Sequence, residues 1–80
     1  MPNKIKKFKP LFEIGDLVTE FIDGLELTNG IVTKISYNKD EQQYFYSIKW
    51  SDLNVEVSIN EAIMNWRIEN EIWNYYKVVK

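Results

Sequence analysis

Asp23-Gly24 stands directly between Leu17-Val18-Thr19-Glu20-Phe21-Ile22 and a second run of strand formers that begins at Leu25. A tight two-residue hairpin turn of the I′ type needs positive φ at both central positions, and this dipeptide tolerates that conformation. The chain is expected to reverse there, with strands at 17–22 and from Leu25 to about Tyr37. The second strand is about twice the ordinary length. It contains Asn29-Gly30, and a glycine inside a long strand marks a bulge or sharp bend where the missing Cβ lets a sheet curl on itself.

The wholly polar run at residues 38–43 predicts a solvent-exposed hairpin loop. Beyond it Tyr44, Tyr46, Ile48 and Trp50 alternate with Phe45, Ser47 and Lys49, the period-two pattern of a half-buried antiparallel strand. Residues 51–54 supply another turn. Val55, Val57 and Ile59 then share one face of a fourth strand, with Glu56 and Ser58 outward. Ser58-Ile59-Asn60-Glu61 has capping-box spacing, which predicts a short helix over residues 60–66 with Ser58 as its cap. Ile63, Trp66, Trp73 and Tyr76 also fit one face of a longer helix, but Tyr75-Tyr76-Lys77-Val78-Val79 is richer in strand formers. The expected fold class is therefore mainly β, a small, strongly bent, five-stranded antiparallel barrel with one short helix. Residues 1–14 are read as a basic arm and 15–80 as a single domain.

Chemistry is narrowed by what the 80 residues lack. With no cysteine and no histidine, the chain has no thiol nucleophile, disulfide, imidazole base or soft-ligand metal site. The acids Asp40, Glu41, Glu69 and Glu71 lie in hydrophilic runs and read as surface charge, not as an acid–base pair. Gly15, Gly24 and Gly30 are isolated and build no phosphate-cradling loop. The expectation is a non-enzyme without cofactor or metal. No run approaches the ~20 apolar residues of a membrane span, and the lysines and Pro10 interrupt the first apolar positions where a signal peptide needs an unbroken run. A cytoplasmic location is expected.

The net charge of −2 is unevenly spread. Lys4, Lys6, Lys7 and Lys9 face no acid within residues 1–10, which leaves six basic and twelve acidic groups to the remainder. Such an arm can reach phosphates or an acidic neighbouring subunit, or can simply solubilise the chain.

Gly15-Asp16-Leu17-Val18, Gly30-Ile31-Val32 and Tyr46-Ser47-Ile48-Lys49-Trp50 with Ser51-Asp52 resemble the layout of small Src-homology-3-like barrels, Tudor-like and KOW-type modules included. Phe21-Ile22-Asp23-Gly24-Leu25-Glu26-Leu27, followed by Gly30 and Val32, resembles the first motif of Sm-like proteins, and the chain as a whole is similar to the small divergent members known from marine metagenomes and cyanophages. The Gly24-to-Gly30 spacing is one residue longer than the family's usual one. Ser58-Ile59-Asn60-Glu61 stands where the family's second motif carries an arginine-glycine pair, so that part of the base pocket has no counterpart here. The resemblance implies a ring-forming homo-oligomer that binds RNA or single-stranded DNA, in the cytoplasm of an infected host cell if phage-encoded. Tyr37 and Asn38 match the end of the first motif and are the implied stacking and base-contacting residues.

Twelve aromatic residues can fill a core or stack on bases. Trp50, Trp66 and Trp73 read as packing; Tyr37, Tyr44 and Tyr46 are open to either role. The candidate nucleic-acid contacts are Tyr37, Asn38, Lys39 and Tyr44, with Lys4, Lys6, Lys7 and Lys9 on phosphates. Lys34, Lys39 and Lys49 can extend a basic track, or keep strand faces solvated. An open sheet edge in a small chain without staples favours self-association. The candidate contact joins Val55, Val57 and Ile59 of the fourth strand head-to-tail to Tyr75, Lys77 and Val79 of another copy's last strand. The alternative is a protein-interaction or structural adaptor of phage origin, suggested by the acidic body and the missing arginine-glycine pair.

Overall fold

Both residues of the Asp23-Gly24 turn take positive φ, 54° and 78°, as the I′ hairpin requires. The structure, a computed structural model, describes residues 9–52 and 54–77. The elements run β1 (Leu17–Ile22), β2 (Leu25–Asn38), β3 (Gln43–Trp50), β4 (Val55–Asn60), α1 (Glu61–Glu69) and β5 (Trp73–Tyr76). The strands form one antiparallel sheet in the order β4-β3-β2-β1-β5. Among the described residues no pairing joins β4 to β5, so the sheet keeps two edges where a closed barrel would have none. Between those edges α1 carries the chain from β4 to β5 and packs against β3, β4 and β5.

Curvature concentrates in β2. Leu27 is an extra residue opposite β1, between the pairs Phe21↔Glu26 and Glu20↔Thr28, and Thr33 is an extra residue opposite β3, between Val32↔Ile48 and Lys34↔Ser47. Each bulge adds bend and twist to the long strand. Gly30 lies between them. A Cβ there would stand 2.5 Å from Ile48 Cγ2 and 2.9 Å from Trp50 Cε3, so the glycine lets these side chains lie directly across the β2 backbone.

The alternating face of β3 is the core face: Tyr46, Ile48 and Trp50 are buried, beside Val18, Val32, Met64 and Trp73. Phe12, which the sequence places in the arm, is part of this core at 3 % exposure. It meets Tyr46 and Tyr75 edge to face, at centroid distances of 5.1 and 4.8 Å. The Gly15-Asp16 turn is tied to β2 from both sides, with the Gly15 amide donating to the Val32 carbonyl at 2.8 Å and the Val32 amide to that of Asp16 at 2.9 Å.

The helix differs from its expected form in both cap and length. Ser58 remains in β4, paired with Ser47, and Asn60 is the N-cap, its side chain accepting from the Ile63 amide at 2.8 Å. Because nothing breaks the helix at residue 66, it continues to Glu69. There the Glu71 amide donates to Ile68 and the Ile72 amide to Arg67, with Glu71 at φ 61°, which is a Schellman stop built without glycine. Trp66 is not a core residue: Met64 is the buried position of α1, and Trp66 is 55 % exposed. Helical spacing places Ile63 and Trp66 together on a face turned away from Met64 and Ile68.

Candidate functional site

The β2–β3 tip holds the residues expected to meet nucleic acid. Tyr37 and Tyr44 are direct cross-strand partners, their rings edge to face at 5.0 Å. Tyr44 packs on the core, whereas Tyr37 is 42 % exposed. Lys39 is exposed in the tip beyond them. Asn38 has a structural task as well: its side-chain oxygen accepts from the Glu41 amide at 2.9 Å, holding the turn. Gln43 Oε1 accepts from the Ala62 amide at 3.4 Å, linking the tip to the start of α1.

Of the arm lysines, Lys9 is exposed; Lys4, Lys6 and Lys7 lie outside the described residues, as does Val79. Lys34 and Lys49 are exposed, and Lys34 pairs with Glu56 at 3.9 Å. The described candidate contact residues lie at the sheet's two edges, with Lys77 just past the end of β5 and not within it. On β4, Val55 and Val57 are each 45 % exposed and Ile59 is half-buried. On the β5 side, Tyr75 is half-buried and Lys77 exposed, the lysine 3.8 Å from Glu13 and 5.9 Å from the centre of the Tyr75 ring.

Two tyrosine–carboxylate pairs lock residues 11–16 onto the sheet. Tyr46, fully buried, donates to Glu61 at 2.5 Å, and the Leu11 amide donates to both groups. This settles Tyr46 as a structural residue, since no base can reach its ring. Tyr75 donates its hydroxyl to the fully buried Asp16, which also accepts from the Glu13 amide at 2.8 Å. Burial first, and then the bond to Glu61, pushes the Tyr46 phenol well above its ordinary value of 10.0. Tyr75 is displaced the same way by burial and by Asp16.

At the opposite end of the core face lies a cleft of about 180 Å³. Trp50 and Trp73, edge to face at 5.3 Å, form its indole wall, and Ile48, Val57 and Ile59 its aliphatic side. Polar groups converge there as well. Glu20 comes from β1, Asp52 from the β3–β4 turn, and Arg67 from α1. The Arg67 guanidinium sits 5.1 Å from the centre of the Trp73 ring, and Asp52 accepts from the Thr28 hydroxyl at 2.7 Å. The buried Trp73 Nε1–H has no acceptor among the described residues. Packing of Trp50 and Trp73 was expected, but their polar surroundings were not. One signal was available: Glu20 shares the strand face of Val18, and an acid on a core-facing position is unusual.

The acids Asp40, Glu41, Glu69 and Glu71 are all exposed. Among the described residues, no group of three or more metal-ligating side chains assembles, and no helix is long and apolar enough to cross a membrane. In comparison with known proteins the chain matches no family model, no curated protein and no solved structure.

Proposed function

We propose that this protein is a non-enzymatic module that binds RNA or single-stranded DNA and assembles head-to-tail with copies of itself, in the manner of Sm-like barrels. The observation that carries the reading is the Tyr37–Tyr44 pair, an aromatic platform at an exposed strand end with Lys39 beyond it. A base stacked on such a ring contributes about 1–3 kcal/mol whatever its sequence, and lysines add a phosphate attraction that weakens with salt. Assembly is supported by the edges of β4 and β5, unpaired among the described residues, each of which presents backbone donors and acceptors to a further strand.

The test measures oligonucleotide binding by fluorescence anisotropy across salt concentrations, with light-scattering mass on the same samples. Tyr37→Ala should weaken binding about 5- to 100-fold with little change in salt slope. Replacing Lys4, Lys6, Lys7 and Lys9 by glutamine should flatten the slope. Salt-independent binding would remove the phosphate contacts, and a monomeric mass with and without oligonucleotide would remove the ring.

A second reading, the protein-interaction adaptor, is favoured by a row of half-exposed apolar side chains on the outer sheet face. Ile31, Leu17 and Tyr76 are register partners across β2, β1 and β5 and are 46, 41 and 49 % exposed. A protein partner whose binding is lost in Leu17→Glu, together with no retention of any oligonucleotide at low salt, would establish it.

A further inference from the structure

We propose that the cleft beside Trp50 and Trp73 is a base-reading pocket that selects guanine; this rests on the nucleic-acid reading above but places base selection at the opposite end of the sheet face from Tyr37. Size comes first. A cavity of about 150 Å³ lined by aliphatic and aromatic side chains suffices for benzene, and this cleft holds about 180 Å³, with the exposed Asp52 and Val57 in its lining. That volume takes the leading ring of a planar heterocycle that enters edge-first.

Hydrogen-bonding chemistry then narrows the occupant. Trp73, 2 % exposed, is part of the cleft lining, so its indole signal reports on what enters there. Arg67 brings donors and is held by the Trp73 ring, with no carboxylate in ion-pair contact among the described residues. Glu20, half-buried, offers a carboxylate that accepts no hydrogen bond among the described residues. Asp52 has one oxygen engaged by Thr28. The pocket therefore asks for acceptors and N–H donors on one flat, otherwise apolar body.

Simple ions fail this requirement. An alkylammonium would meet the carboxylates and leave the guanidinium unsatisfied; a phosphate or carboxylate would meet the guanidinium and face two acids. Among the bases, guanine places O6 and N7 acceptors beside adjacent N1–H and N2–H donors. An arginine addresses the first edge and a carboxylate the second. Adenine has no carbonyl, cytosine offers a carboxylate its amino group alone with an acceptor beside it, and uracil and thymine carry one ring N–H flanked by carbonyls that a carboxylate would repel. Glu20 is thus assigned to the N1–H/N2–H edge, with the Arg67 guanidinium serving the acceptors.

The experiment follows the three tryptophan indole N–H signals by ¹⁵N NMR, assigned with Trp50→Phe and Trp66→Phe, while each of the four nucleoside monophosphates is added to the millimolar range. The expected result is a saturable shift of the Trp73 signal with guanosine monophosphate at least tenfold tighter than with the other three. Glu20→Gln should remove that preference, and Tyr37→Ala should leave it intact. A Trp73 signal that stays still, or moves equally with all four nucleotides, overturns the pocket. So does a signal that responds instead to a lysine-rich peptide. Anisotropy with mixed oligonucleotides separates the two proposals. Oligonucleotide binding with a silent Trp73 rejects the cleft and keeps the nucleic-acid module; a guanosine response without oligonucleotide binding keeps the cleft and rejects the polymer.

Discussion

The two ends of the core face are built from the same kind of residue and have opposite properties. At one end Tyr37 and Tyr44 pair across β2 and β3 where the sheet has run past the helix-covered core, so one ring is half in water. At the other, Trp50 and Trp73 pair across elements far apart in sequence, nearly closed off from water, with Glu20, Asp52 and Arg67 gathered around them. Aromatic content alone therefore says little about role. An exposed pair on adjacent strands costs the fold little to lose. A buried pair that joins β3 to β5 holds the last strand to the sheet, and any ligand must be read there through the few polar groups that share its burial.

The largest effect that would break or sustain this contrast is Trp73→Ala, which should lower unfolding free energy by about 3–5 kcal/mol in urea denaturation. A loss no greater than that of Tyr37→Ala would erase the distinction between the ends. Next come the phenols midway between them. Tyr46→Phe and Tyr75→Phe should each cost about 1–3 kcal/mol by breaking a bond to a carboxylate. They also set an alkaline limit. Because the folded state holds these phenolic protons more tightly than the unfolded chain, whose tyrosines titrate near 10.0, their stabilisation is complete below that pH and declines as pH rises above it. Denaturation midpoints taken from pH 8 upward should fall in the parent and fall less in the double phenylalanine variant; parallel curves would exclude the phenols as the cause.

Gly30→Ala probes the tryptophan end from beneath. Its new Cβ would collide with Ile48 and Trp50, and forcing that overpacking should cost about 1–3 kcal/mol in thermal melts. The smallest effect is expected at the tyrosine end, where Tyr37→Ala should lower stability by about 1 kcal/mol through loss of the ring pair while oligonucleotide affinity drops. Unchanged affinity with stability lowered further than this would reverse the roles assigned to the two ends.

Local chemistry made most of the fold legible. The positive-φ demand at Asp23-Gly24, the alternation through Tyr44, Tyr46, Ile48 and Trp50, and the glycine within β2 depend on near neighbours and on side-chain period, and strands β1 to β3 lie where these signals put them. The helix was located but misbounded, because Ser58 and Asn60 are both competent caps and the choice depends on where β4 stops pairing with β3. The Tyr37–Tyr44 platform was legible for the same reason, as two residues flanking one hairpin loop.

What distance in the chain conceals is who meets whom. No local pattern says that Phe12 seats between Tyr46 and Tyr75, or that Asp16 is buried to receive the Tyr75 hydroxyl. Nor does any say that Trp66 faces solvent while Trp73 does not. The cleft is the extreme case, since Glu20, Asp52, Arg67 and Trp73 belong to four separate segments and converge only when α1 carries the chain across the open sheet. Secondary structure answers to backbone sterics and the burial of one face, both written in adjacent residues; the site answers to which faces the crossing helix leaves open, which is settled only when all five strands are in place.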